Sequence, residues 1–128
     1  MGSSYRDLIV WQRAKTLAVS VYRATEPFPK SELYGLTSQM RRAGISVASN
    51  IAEGQGRTTP GEFVQFLGHA RGSLLELQTQ AEVAIELEFL TRNSGADLLR
   101  DCGEVLFLLN RLMNSLTGKS KTNMRSSN

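Results

Sequence analysis

Thr59-Pro60-Gly61-Glu62 is the stretch on which the fold turns. A threonine that can accept a backbone N–H, a proline whose φ suits the first helical position and a glutamate three residues after the threonine form a capping box, the signature of a helix start. Behind it, Phe63, Phe66, Leu67, Ala70, Leu74, Leu77, Ala81 and Ala84 fall at helical spacing on one face, and no proline interrupts them before about Leu87. The spacing therefore predicts one long helix from the box to about Leu87. Immediately upstream, Gly54-Gln55-Gly56-Arg57 reads as a turn.

Working outward from this boundary, three more helices emerge. Leu36, Met40, Ala43, Val47 and Ile51 mark one from Glu32 or Leu36 to Gly54. Trp11, Ala14, Ala18, Val21 and Tyr22 mark another from about Asp7 to Thr25. Pro27 and Pro29 stop it, because the residue before a proline is pushed out of the helical region. Downstream, Leu98, Leu99, Cys102, Val105, Leu106, Leu109, Leu112, Met113 and Leu116 line a helix from about Ser94 to Leu116, closed by Gly118. Phe107 and Leu108 stand outside that stripe and predict a second apolar contact surface. No segment alternates with the period of a strand. Four long helices with short connections predict an all-α fold, an antiparallel up-down-up-down four-helix bundle. The expected domain is 1–117, followed by a disordered basic tail, 118–128, that carries Lys119, Lys121 and Arg125.

The chain has 128 residues, 41% hydrophobic and 21% charged, enough to bury a core without staples. Cys102 is the only cysteine, so no intramolecular disulfide can form; a reducing, cytoplasmic location is expected. The first residues, Met1 to Asp7, have neither an apolar core nor a cleavage pattern, and no signal peptide is expected. The apolar run Val105 to Leu109 falls far short of the roughly 20 residues that span a bilayer, so no membrane partner is expected.

The residues that could carry chemistry are few. His69 is the single histidine, and with one distant cysteine it cannot complete an ordinary zinc set. The Glu-x-x-His pattern of carboxylate-bridged metal sites in bundles is missing. Cys102 lies on an apolar stripe, where a structural thiol is expected. Gly54-Gln55-Gly56 lacks the spacing, the Lys-Ser/Thr ending and the preceding strand of a phosphate loop. The expectation is a protein that is not an enzyme, with no metal and no cofactor.

Two polar stripes remain to be explained. Gln39, Arg42, Ser46, Asn50, Glu53 and Arg57 fall within about an 80° sector beside the apolar face of the second helix. Glu62, Gln65, His69, Ser73, Glu76 and Gln80 do the same on the third. Such stripes are either solvated faces or contact surfaces; the neutral Gln39, Ser46, Asn50, Ser73 and Gln80 suit contact between subunits. Gly44, Ala48 and Ala52 form a small-residue series opposite, and Gly68 and Gly72 form another, which predicts close approach of neighbouring helices. Charge is also divided. Without the three tail cations the chain has 12 basic and 12 acidic residues; residues 1–57 hold 8 basic and 4 acidic, residues 58–117 hold 4 and 8. Either the halves pair their charges, with Arg42 meeting Glu53 or acids of later helices, or the first half offers a basic surface to polyanions. In the second case Arg13, Lys15, Arg41 and Arg57 are the candidate phosphate contacts.

Several segments, in order, resemble one family. They are Tyr5-Arg6-Asp7-Leu8-Ile9-Val10-Trp11-Gln12-Arg13-Ala14, Phe28-Pro29, Glu32 through Ala43, and most specifically Ser46-Val47-Ala48-Ser49-Asn50-Ile51-Ala52-Glu53-Gly54. Arg57, Glu62-Phe63 and Ala70-Arg71-Gly72-Ser73-Leu74 follow. Residues 5–116 thereby resemble the four-helix-bundle proteins encoded in intervening sequences of bacterial 23S rRNA genes. The resemblance implies a ring-like homopentamer. It also implies a relation to the accessory protein of diversity-generating retroelements, which binds nucleic acid and a reverse transcriptase through a basic surface. Self-association, with RNA or a ribonucleoprotein as further partner, is thus expected, and a scaffold that binds only protein is the rival. Gln39, Arg42, Ser46, Asn50 and Glu53 are expected to be packing or interface residues. Gly44, where the family commonly has Ala or another apolar residue, and Ala48, where Pro is common, depart from the pattern but stay small.

Overall fold

The computed structural model describes residues 4–118. Four α-helices dominate it: α1 Ile9–Thr25, α2 Ser38–Gln55, α3 Pro60–Glu86 and α4 Arg92–Thr117. Among the described residues there is no strand. The basic residues after Gly118 lie outside the described residues.

The helix boundaries have local causes. Thr59 accepts from the Glu62 N–H at 3.1 Å, the N-cap half of the expected box, and Pro60 opens α3. Thr91 does the same for α4, accepting from the Ser94 N–H at 3.0 Å. At the other end of α3, Glu88 takes the left-handed conformation (φ 63°) while the Phe89 and Leu90 N–H groups return to the Ala84 carbonyl. This is a helix stop that more often uses glycine. The second helix was expected from Glu32 or Leu36; the regular α2 begins only at Ser38. Before it lie a 3-10 turn at Lys30–Glu32 and a wide π turn at Leu33–Thr37, which departs from helical geometry at Gly35. There the Glu32 carboxylate accepts from the Leu36 N–H.

Each helix packs against two others: α1 with α2 and α4, α3 with α2 and α4. Contacts along the seams run in opposite chain directions, consistent with the antiparallel order. Ala18 and Val21 meet Gly44 while Thr25 meets Arg41. Ser46 meets Ser73 while Gly54 meets Phe63 and Phe66. The core collects Leu17, Met40, Val47, Ile51, Leu67, Leu74, Leu77, Val105 and Leu109, all fully enclosed or nearly so.

The core differs from the expected one in two places. In α1 the buried series is Val10, Ala14, Leu17, Val21 and Thr25, whereas Trp11 and Ala18 are half-buried and Tyr22 is exposed. The stripe is rotated: the aliphatic residues fill the centre, while Tyr22 lies against Arg41 of α2 and Trp11 against Tyr5 and Lys15. In α3, Gly68 and Gly72 do not meet a neighbouring helix; nothing lies within 4 Å of where a β-carbon would stand at either. By contrast, a β-carbon at Gly54 would stand 2.8 Å from the Phe66 Cβ, so the end of α2 can sit on α3 only without a side chain there.

Candidate functional site

The polar stripes of α2 and α3 face each other across one seam. The Ser46 and Ser73 hydroxyls hydrogen-bond at 2.8 Å, and the Asn50 amide donates to the Ser46 carbonyl at 2.9 Å and to its hydroxyl at 3.0 Å. Gln39, Arg42, Ala43, Ser46, Ser73 and Glu76 line a cleft of about 530 Å³ above this pair. Gln80, only 7% exposed, donates to the Glu76 carboxylate at 3.4 Å, and its carbonyl oxygen has no partner among the described residues. A buried amide oxygen without a donor is costly. Arg42 forms no ion pair with Glu53 here; Glu53 faces Arg57 instead, at 3.9 Å. Of the five expected packing or interface residues, the cleft therefore unites Gln39, Arg42 and Ser46, supported by Asn50 from beneath, while Glu53 stands farther along α2, exposed.

The four expected phosphate contacts are not gathered in one place. Arg13 pairs with Glu104 of α4. Arg57 lies over the Phe66 ring at 4.4 Å, beside Glu53. Arg41 is a clasp: its Nε–H donates to the Thr25 hydroxyl at 2.8 Å, its Nη2 donates to the Tyr22 carbonyl at 3.2 Å, and Glu26 is 3.9 Å away. Lys15 has no acidic partner among the described residues; its ammonium lies 5.3 Å from the centre of the Trp11 ring.

A third surface is apolar. Leu8, Ile9, Val10, Leu108, Arg111, Leu112 and Ser115 line a groove of about 270 Å³ between the start of α1 and the end of α4. Of the two residues expected to form a second apolar surface, Phe107 is 59% exposed, as is Ile9, whereas Leu108 lines the groove and packs against the core.

The residues most often recruited for chemistry are placed for other work. Cys102 is buried, and burial, with the Asp101 carboxylate nearby, pushes its thiol up from 9.0 to about 12. It stays protonated and unreactive at neutral pH. His69 stands on the exposed side of α3, edge-on to Phe66. Among the described residues no group of three or more His, Cys, Asp or Glu could hold a metal ion, and no helix is long and apolar enough to cross a membrane.

The class these features define is a four-helix bundle whose conspicuous surfaces are seams and grooves between helices. Residues 6–111 match the model of the 23S rRNA-intervening sequence protein family, and the chain belongs to that family. Among solved structures, a protein of unknown function from the S23 ribosomal protein family of Bacteroides thetaiotaomicron is similar, with 21% identity and a TM-score of 0.77. The match covers 83% of this chain and 96% of that one, and it shows the shared fold. No curated protein matches the sequence.

Proposed function

We propose that this chain is a non-enzymatic bundle that assembles as a homo-oligomeric ring, a pentamer, and presents cations of its first half to RNA or a ribonucleoprotein. The polar cleft between α2 and α3 carries the assembly reading. It is lined by the neutral Gln39, Ser46 and Ser73 together with the charged Arg42 and Glu76, and the buried Gln80 oxygen beside it lacks a donor. Solvated helix faces are ordinarily rich in Lys and Glu, whereas neutral donors and acceptors suit a subunit contact. The open space over Gly68 and Gly72 supports the same reading, since a second copy packed there would offset the roughly 1 kcal/mol each glycine costs in a helix interior. The charge division between the halves and the family's tie to 23S rRNA support the RNA reading.

A scaffold that binds only protein is favoured by one observation: Arg13, Arg41 and Arg57 each have a carboxylate within 4.0 Å. Two measurements separate the possibilities. Native mass at micromolar concentration is expected to give a multiple of 14.1 kDa; a monomer would remove the assembly. Titration with structured rRNA fragments at two salt concentrations is expected to show affinity falling steeply with salt. An intact oligomer that binds no RNA at low salt would leave the scaffold.

A further inference from the structure

Three cations of the first half are held against aromatic rings along one ridge. Trp11, Lys15, Ala18 and Tyr22 follow one another at steps of four, three and four, so they share one side of α1. Tyr5 extends the series beyond the helix. Its ring lies 5.0 Å from that of Trp11, edge to face, and the Arg6 guanidinium stands 4.8 Å from the Tyr5 ring centre. Lys15 stands over Trp11 at 5.3 Å and Arg41 over Tyr22 at 4.6 Å. The segment carrying Tyr5 is fixed in place. Ser4 caps its 3-10 turn, and the Gln12 side chain donates to the Arg6 carbonyl at 2.7 Å.

Cation–π contact and ion pairing hold a cation in different ways. A carboxylate cancels the charge it positions. A ring attracts the cation through its quadrupole and leaves the net charge in place for a stronger anion. Arg13 and Arg100 are of the first kind, paired with Glu104 and with Asp97 and Asp101. Arg6 and Lys15 are of the second kind and have no acidic partner among the described residues. Arg41 is bound to Thr25 and to the Tyr22 carbonyl and serves to fix Tyr22, which remains 41% exposed.

We infer that this ridge, from Tyr5 through Trp11 to Tyr22, is a docking surface for single-stranded nucleic acid. Arg6 and Lys15 move from ring to phosphate, and the vacated ring faces take up unpaired bases. The inference rests on the RNA reading proposed above and narrows it to unpaired strands and to one side of α1. Alternating cations and rings suit a single strand, whose bases are open to stacking, and offer a duplex only phosphate contacts.

Trp11 is the only tryptophan, so its fluorescence reports the ridge directly. The experiment titrates the full-length protein, in whatever oligomer it forms, with single-stranded RNA, single-stranded DNA and duplex RNA of one mixed sequence at two salt concentrations. Expected are quenching of Trp11 by both single strands and weaker binding of the duplex. Tyr5→Leu and Tyr22→Leu, with melting checked against the parent, are each expected to weaken single-strand binding about tenfold. Lys15→Gln is expected to lower the salt slope by about one, and Arg100→Gln to leave it unchanged. RNA binding that survives all three ridge variants, prefers the duplex, or falls as much with Arg100→Gln would overturn the ridge while leaving RNA binding itself in place. No binding to any nucleic acid at low salt would overturn both.

Discussion

Along its α1 side, α2 presents Gly44, Ala48 and Ala52; along its α3 side it presents Gln39, Ser46 and Asn50. The first flank is close and, apart from the Arg41 clasp at its start, dry. A β-carbon on Gly44 would stand 3.5 Å from the Ala18 Cα and 3.5 Å from a Val21 methyl. The second flank is polar and leaves a cleft of about 530 Å³, bridged by the Ser46–Ser73 hydrogen bond. The dry seam draws its stability from contact and is sensitive to volume. The polar seam draws less from contact, and is sensitive to whether each donor keeps its acceptor. One helix thus serves both as a wedge in the fold and as a wall of the polar cleft.

The largest expected effect tests the dry seam. Gly44→Leu must push α1 from α2 and is expected to cost about 1–3 kcal/mol of stability. Gly44→Ala adds only an ordinary contact and removes helical glycine, so it is expected to stabilise by up to about 1 kcal/mol. Opposite signs in denaturant unfolding establish the close approach; equal signs would mean that the seam is looser than 3.5 Å suggests.

The polar seam gives a smaller effect. Ser46→Ala removes the partner of the Ser73 hydroxyl and one acceptor of the Asn50 amide, at about 1 kcal/mol. The Ser46→Ala and Ser73→Ala changes together are expected to cost less than the sum of the two, because the second removes a group the first had already orphaned. Strict additivity would mean that the hydroxyls do not bond. Smallest of all is Gln80→Leu. Replacing an amide whose oxygen lacks a partner by an apolar group of similar size is expected to change monomer stability by less than about 1 kcal/mol, in either direction. The same variant is expected to weaken the oligomer in native mass measurements if a second copy supplies the missing donor. An assembly unaffected by it would locate the subunit contact elsewhere.

Much of this was legible in the chain. The capping box, the proline stop after Thr25 and the uninterrupted stripes of α3 and α4 are local features, determined by φ restriction, capping and the 3.6-residue period. The family was legible as a resemblance, most specifically at Ser46 to Gly54. The candidate site was legible only as stripes. Ser46, Asn50 and Ser73 stood out as neutral residues at helical spacing, but the bond between Ser46 and Ser73 joins positions 27 residues apart. The cations were less legible. Arg13, Lys15, Arg41 and Arg57 look alike in sequence, and only their neighbours distinguish a paired, a clasping and an unpaired charge. Arg6 carried a signal that could have been used, since it lies among Tyr5 and Trp11 in the opening motif.

The sequence by itself determined four helices, the end of α1, the start of α3 and which face of α2, α3 and α4 is apolar, because those depend on neighbours within one or two turns. Tertiary structure alone decided that Trp11 is only half-buried and Tyr22 exposed while Leu17 fills the centre of the bundle. It also decided that Gly44 meets α1 while Gly68 and Gly72 face open space, and which cations are neutralised. Those outcomes depend on how far one helix is rotated against the next. Rotation is set by the packing of all four together, and no helix carries it in its own residues.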